Sequence, residues 1–242
     1  MIETALIDAD IVAYRCAAAT ENETEDIACW QTSEMMRRIL HETNAMQFRA
    51  FLTGDNNFRY SVYPEYKANR KDMQRPKWLQ RVREHLVTDW KASVTDGIEA
   101  DDALGIAHCS EHDGDSIVCS IDKDLLMLPG MHYNFVKGEQ RHISPLEGLR
   151  NFYGQLIMGD RSDNIPGFDG KMRVKIPQFL QGHFDLLEEM TEEIDMYEYL
   201  LNLYNEDTET MHRNAKVLWI MRKENDYWEA PKGQEGMDGS PP

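Results

Sequence analysis

Three strand-length apolar runs in the first half of this chain each end in acidic residues. Thr4–Ile7 leads into Asp8-Ala9-Asp10, Phe48–Thr53 into Gly54-Asp55, and Ser116–Ile121 into Asp122-Lys123-Asp124. The first and third read as strands buried on both faces of a parallel sheet, the third being rich in β-branched residues. Helical spacing falls between them, over Ser33–Thr43, Pro76–Thr88 and Glu99–Ser110. Such alternation predicts an α/β fold with a mostly parallel central sheet flanked by helices. Ligands of these sheets bind at the carboxyl ends of the strands. Carboxylates at three strand ends are therefore expected to meet along one edge.

Past Pro145 the pattern changes. Glu147–Met158 has helical spacing, GDRSDNIPG at 159–167 is a turn-rich loop, and Lys171–Gln181 leads into a further helical piece. Phe184, Leu187, Met190, Ile194, Tyr197, Leu201 and Tyr204 predict one long amphipathic helix with an acidic outer face. Thr210–Arg222 predicts a last helix, and the Gly/Pro-rich stretch from Pro231 predicts disorder. The expected division is an α/β core over 1–151, a helical region over 152–230 and a tail over 231–242, with a basic arch region at about 59–91.

The net charge of −17 argues, taken as an average, against a polyanionic partner. Its distribution weakens that objection. Ten acidic residues and no Lys or Arg lie between Asp185 and Glu209, whereas Arg59 to Lys91 holds nine basic residues against four acidic ones. No apolar run approaches the ~20 residues that span a bilayer, and the N-terminus lacks a signal-peptide pattern. The expectation is a cytoplasmic monomer with no membrane partner. Cys16, Cys29, Cys109 and Cys119 form no CxxC pair and read as free thiols.

The candidate site is a set of carboxylates: Asp8, Asp10, Asp55, Glu99, Asp101, Asp102, Asp122, Asp124, Asp160 and Asp163. Each piece has an ordinary explanation. Asp-Ala-Asp and SDNIPG can be turns, EADD a helix start favoured by the dipole, and Asp-Lys-Asp a solvated loop. Together, with three at strand ends, they point to a metal site, because clustered anions destabilise a fold unless cations sit among them. All-oxygen donors select Mg²⁺ or Mn²⁺. Two such ions about 4 Å apart constitute the arrangement for phosphodiester hydrolysis.

These pieces, in this order, resemble the 5′-nuclease superfamily, which includes flap endonucleases, the 5′-nuclease domain of DNA polymerase I and bacteriophage 5′-3′ exonucleases. LIDADIVAYR is similar to the family's first strand, with Asp8 and the Tyr14-Arg15 pair. YKANRK at 66–71 resembles its Tyr-Lys-Gly/Ala-x-Arg element, IEADD its Glu-x-Asp-Asp, SIDKDL its Asp-Lys-Asp, and GDRSDNIPG its Gly-Asp-x-Ser-Asp-Asn-Ile-Pro-Gly. The match runs from about Ala5 to Leu180 and most resembles a stand-alone phage exonuclease.

The resemblance implies a PIN-like nuclease core followed by a helical DNA-binding region. It implies two Mg²⁺ or Mn²⁺ ions, with Asp8, Glu99, Asp101 and Asp122 serving the first and Asp124, Asp160 and Asp163 the second; Asp55 and Asp102 are further candidate ligands. Lys67 and Arg70 would contact the scissile phosphate or its neighbour and act in catalysis. Tyr14, Arg15, Arg59, Lys71, Lys171, Arg173 and Lys175 complete the expected DNA-binding set. Implied partners are DNA with 5′ ends or flaps and RNA–DNA hybrids, in phage genome replication or host-DNA breakdown.

Two departures stand out. Asp55 only approximates the acid that many relatives carry after the second strand. Relatives follow SDNIPG with Gly-Ile-Gly-x-Lys-Thr-Ala, a hairpin that grips duplex backbone with a monovalent cation. Here GFDGKMRVKIPQFL stands instead, which leaves a K⁺ site open. Phe58, Tyr60, Tyr63, Tyr66 and Trp78 could stack on an unpaired base or pack in the core. Competing readings are a PIN-type ribonuclease, which would lack YKANRK and SDNIPG, a non-catalytic DNA-binding accessory protein, and an aspartate-nucleophile phosphatase, which leaves EADD unexplained.

Overall fold

The structure is a computed structural model describing residues 2–71, 73–111 and 114–232. β1 (Thr4–Asp8) is buried along its whole length. α1 (Ala9–Ala19) follows at once, because the Asp8 carboxylate caps it by accepting from the Ile11 N–H. α2 (Glu25–Thr43) begins at a Thr24 cap and stops where Asn44 turns left-handed. Next come β2 (Gln47–Leu52), α3 (Arg59–Val62), α4 (Leu79–Thr88) and β3 (Ser93–Val94). α5 (Ala100–Ile106) opens with a capping box between Glu99 and Asp102. It passes into a π-helical turn and then β4 (Ser116–Cys119).

β1 pairs in parallel with β2 on one side and β4 on the other, Ile7 standing beside both Ala50 and Cys119. β3 and β5 (Gly130–Asn134) extend the parallel set outward. β6 (Glu139–Ile143) closes one edge antiparallel, giving the order β3-β2-β1-β4-β5-β6. The chain winds away from β1 in one direction and from β4 in the other. The crevice at their carboxyl ends is therefore the topological switch point, where α/β sheets take their ligands.

Side-chain alternation sends Ala5 and Ile7 to one face of the sheet and Leu6 to the other. α1, α2 and α4 cover the first face around Val12, Met36 and Leu86. The second face packs Leu6, Phe51 and Val118 against Leu104, Phe152, Leu156, Leu200 and Met211. Both faces are covered, as a parallel sheet requires. The four cysteines are free.

α6 (Pro145–Met158) starts at a Ser144 cap with proline in its first turn. It runs unbroken through residue 151, the expected boundary, and its Phe152 and Leu156 share one core with Leu6 and Met211. After it come the two-residue pair β7 (Gly159–Asp160) and β8 (Ile165–Pro166), then α7 (Gln181–Glu189), α8 (Glu193–Leu203) and α9 (Thr208–Leu218). The single long helix expected over 184–204 is two helices. Arg150 of α6 donates to the Glu188 and Met190 carbonyls, at 2.5 and 2.9 Å, which ends α7. Met190 is extended, and Leu187, Met196 and Leu200 still face the core. The tail from 231 lies outside the described residues beyond Lys232. No helix among the described residues is long and apolar enough to cross a membrane.

Candidate metal and nucleic-acid site

The end of β1 and the turn leaving β4 are laced together. The Asp8 carboxylate, 2% exposed, accepts from the Ser120 hydroxyl at 2.6 Å as well as from its cap at 3.1 Å. Ser120 Oγ in turn accepts from the Asp122 N–H, and Asp122 Oδ1 from the Asp124 N–H, both at 3.0 Å. Asp101, in the first turn of α5, faces the same edge. Burial pushes the Asp8 carboxyl up to about 7, against the Ser120 and Ile11 hydrogen bonds and with repulsion from Asp10 and Asp122 added. Asp101 is driven well above the carboxylate range by burial, then by Asp8, Asp122 and Glu99. These rises mark a strand-end cluster whose negative charge lacks compensation.

Beside it, the YKANRK loop is zipped to the SDN loop. The Lys67 N–H donates to the Asp163 carbonyl at 2.9 Å, the Asn69 amide to the Arg161 carbonyl at 2.7 Å, and Arg70 Nε to the Ser162 carbonyl at 2.9 Å. Asn164 returns a bond to the Glu65 carbonyl at 2.8 Å. Lys67 and Asn164 both take left-handed backbone, at φ 54° and 61°, a conformation costly for lysine that the surrounding bonds hold in place. Lys67 Nζ lies 2.5 Å from Glu99 Oε1 and 3.7 Å from Asp163 Oδ2, and Arg70 pairs with Asp163 at 2.5 Å. The Tyr66 hydroxyl reaches Glu99 at 3.0 Å and Asp163 at 2.8 Å. Burial alone would raise Glu99, but Lys67 and Arg59 hold its carboxyl below the usual range. Asp163 stays raised by burial despite Lys67 and Arg70.

A third group joins β4 to the loop after α6. Lys123 Nζ donates to Asp160 at 2.8 Å and to Asp124 at 3.1 Å. Asp160 is 1% exposed, and its other oxygen accepts from the Ser162 and Asp163 N–H groups, at 2.6 and 3.0 Å, and from the Ser162 hydroxyl. Burial would raise Asp160; the Lys123 hydrogen bond and charge lower it. Asp124 is pushed up to about 7 by burial and by Asp122, with Lys123 opposing. Lys123 is not among the expected site residues, although its place in SIDKDL is an available signal, and Tyr66, expected as part of YKANRK and as an aromatic, contributes through its hydroxyl.

Seven expected ligands, Asp8, Glu99, Asp101, Asp122, Asp124, Asp160 and Asp163, thus lie along one edge. Asp101 is raised by its neighbours Asp8, Asp122 and Glu99, and Asp124 by Asp122, Asp160 and Asp163, each after burial. Among the described residues no three acidic, His or Cys side chains close around a point as a coordination sphere. Lys67 bridges Glu99 and Asp163, and Lys123 bridges Asp124 and Asp160.

The structure corrects two expectations, for Asp102 and Arg59. Asp102 is fully buried and faces away from the edge: its oxygens take both Arg59 Nη atoms, at 2.5 and 2.9 Å, and the Glu99 and Met221 N–H groups. The capping box spends Asp102 on the helix start, and Arg59 Nη1 lies 2.5 Å from Asp102 and 4.0 Å from Glu99. Arg59, expected on DNA, is 2% exposed and gives its remaining donors to the Val217 and Trp219 carbonyls. Asp55 is exposed, and Asp10 binds the end of β2, accepting from the Thr53 N–H at 2.8 Å and from Arg83.

Of the other DNA-binding candidates, Tyr14 is 45% exposed one turn beyond Asp10, and Arg15 and Lys71 are exposed. Lys171 and Lys175 are exposed on the loop that also presents Val174 and Phe179. Arg173 is engaged by Asp169 at 2.8 Å. Tyr63 and Tyr66 are core residues, whereas Tyr60 is exposed with its ring 5.7 Å from that of Tyr66.

Comparison with known proteins gives the family and the fold. Residues 3–153 match the family described as 5′-3′ exonuclease, N-terminal resolvase-like domain. The chain is 30% identical to a 5′-3′ exonuclease of Buchnera aphidicola subsp. Schizaphis graminum over 62% of its length, and spans 57% of that protein. It is 25% identical to flap endonuclease Xni of Pseudoalteromonas translucida, covering 70% of this chain and 77% of the relative. Its fold is that of T5 5′-exonuclease with bound zinc ions, with a TM-score of 0.64 at 18% identity over 89% of each chain. The family match takes in the ends of β1 and β4 and the start of α5, and the chain belongs to the 5′-3′ exonuclease family of the 5′-nuclease superfamily.

Proposed function

We propose that this chain is a divalent-metal-dependent 5′-nuclease that hydrolyses phosphodiester bonds near the 5′ ends of DNA, as a 5′-3′ exonuclease or 5′-flap nuclease. The observation that carries the reading is the gathering of Asp8, Asp101 and Asp122 at the β1–β4 switch point, bonded to no ammonium or guanidinium among the described residues. Such a set is unstable as anions and suits hard cations. Asp8, Glu99, Asp101 and Asp122 would hold one ion, and Asp124, Asp160 and Asp163 a second. We favour Mg²⁺ or Mn²⁺ on the all-oxygen donors, although the T5 relative was solved with zinc. The ions supply, when bound, a water activated for attack and charge neutralisation at the phosphate.

The chain's own residues do the rest. Asp8 is held by its cap and by Ser120, so its free lone pairs keep one direction. Lys67 and Arg70 sit at the junction of the two zipped loops and would turn to the phosphate, where Lys67 offsets charge developing in the transition state. Lys171 and Lys175 would take backbone phosphates further along the duplex, giving affinity without sequence preference. The 66–70 to 161–164 zipper favours this reading over a PIN-type ribonuclease, which would lack both loops. A place in phage genome replication or host-DNA breakdown is compatible with a stand-alone nuclease of this kind.

The test is cleavage of a 5′-flapped duplex labelled at either end, with Mg²⁺ or EDTA, by wild type and Asp122→Asn. Metal-dependent release from the 5′ side, lost in the variant, supports the reading, and product lengths separate exonuclease from flap cutting. Folded protein that binds the flap and never cuts it would make this a DNA-binding accessory protein.

A further inference from the structure

The carboxylates of the edge are compensated unequally. Asp8, Asp101 and Asp122 carry no bonded cation among the described residues, whereas Asp124 and Asp160 share one. Lys123 Nζ stands 2.8 Å from Asp160 Oδ2 and 3.1 Å from Asp124 Oδ1. The three donors on Asp160 Oδ1 leave Oδ2 as the oxygen free to face a cation, and Lys123 occupies it. The Lys123 side chain is 48% exposed and extends from the turn after β4, so it can leave for solvent without disturbing the core.

We propose that Lys123 is the resident counter-cation of the Asp124–Asp160 pair, and that its displacement sets how tightly the second divalent ion binds. The proposal rests on the metal reading above and deepens it. An ion taken up by Asp8, Asp101 and Asp122 relieves repulsion and displaces no ammonium from those three, Lys67 touching only Glu99 of the first set. An ion at the second position must first break both Lys123 contacts, and Asp163 of that set already faces Arg70 and Lys67, so the first position is tight and the second weak. The displaced ammonium is then left beside the ions with its charge unspent, where a phosphate would accept it. Phosphate binding and occupancy of the second position therefore favour each other. Lysine suits this role better than arginine, because a single rotatable ammonium exchanges partners more readily than a bidentate fork.

The test is Mn²⁺ binding to the full chain, followed by calorimetry and electron paramagnetic resonance, for wild type, Lys123→Met and Lys123→Arg. Wild type should show one tight and one weak class. Lys123→Met should tighten the weak class about tenfold, in line with the loss of two partly screened ion contacts, and leave the tight class unchanged. Lys123→Arg should not tighten it. Melting in EDTA and in Mn²⁺ checks folding, and Lys123→Met should gain more from Mn²⁺ than wild type does. If Lys123→Met folds poorly, Lys123→Gln should move the weak class in the same direction. A weak class unchanged or loosened in these variants overturns the proposal. Folded wild type that binds no Mn²⁺ overturns the metal reading itself, and the wild-type titration alone tells the two failures apart.

Discussion

Replacing Arg59 by methionine isolates the buried ion pair that holds the site's framework together. Arg59 and Asp102 are 2% and 0% exposed, and their two bonds tie α3, which leads into the Tyr66–Arg70 loop, to the start of α5. Arg59 also binds the Val217 and Trp219 carbonyls, drawing the segment after α9 into the same knot. Arg59→Met has similar bulk but leaves the Asp102 charge buried and unpaired. Removing one partner of such a pair costs about 3–5 kcal/mol, a large share of the about 5–15 kcal/mol that stabilises a typical protein. At about 2–4 °C per kcal/mol for a chain of this size, the melting temperature should fall by about 6–20 °C. Asp102→Asn added to Arg59→Met removes the stranded charge yet keeps an acceptor for one of the Glu99 and Met221 N–H groups, which Asp102 serves with separate oxygens. The double variant should therefore be more stable than Arg59→Met alone, an inversion that simple loss of packing does not produce. Urea unfolding followed by circular dichroism at pH 7.5 measures all three proteins. A cost below about 1 kcal/mol for Arg59→Met, or a double variant less stable than the single, would refute the assignment of the knot to a charge pair.

Other outcomes follow from the same geometry. Asp8→Asn should melt above wild type in EDTA, because it removes a buried charge and, to a lesser degree, its repulsion from Asp10 and Asp122, and below wild type in Mg²⁺; the same order in both buffers would sink the metal reading. His132, 6% exposed and bonded to the Leu128 carbonyl at 2.8 Å, has its pKa lowered by burial to about 4. The unfolded chain therefore binds its proton first, so the stabilisation is complete above pH 6.5 and drains as pH falls toward 4, by about 3 kcal/mol in all. His132→Asn should flatten that part of the stability–pH curve, and an unchanged slope would show that other groups dominate it. Gly105→Ala should destabilise by about 1–3 kcal/mol although alanine favours helix, because its Cβ would meet the Met221 carbonyl oxygen at 2.3 Å. A higher melting temperature would mean that α5 can shift away from the segment after α9.

The chain's own pattern determined the sheet and where its chemistry would gather. Runs such as Thr4–Ile7 and Ser116–Ile121 have the length and apolarity of strands buried on both faces, and the acids that follow them fall at strand ends by chain connectivity alone. Burial of apolar residues is local information, readable from period and length. The ordered set of motifs likewise marked Asp8, Asp101, Asp122 and the SDN loop without any coordinates. Which charge answers which was decided only in three dimensions. Asp101 and Asp102 are neighbours in EADD, yet one turns to the edge and the other is spent on a capping box and on an arginine 43 positions earlier. Nothing in the spacing separates them, because partners distant in sequence supply the difference. The same holds for α7 and α8, whose periodicity reads as one helix until Arg150 of α6 claims the carbonyls at the break. The antiparallel β6, mostly exposed and rich in polar residues, left no apolar signature to read. Long-range electrostatics and capping by tertiary neighbours have no period in the sequence, so they become visible only when the chain has folded.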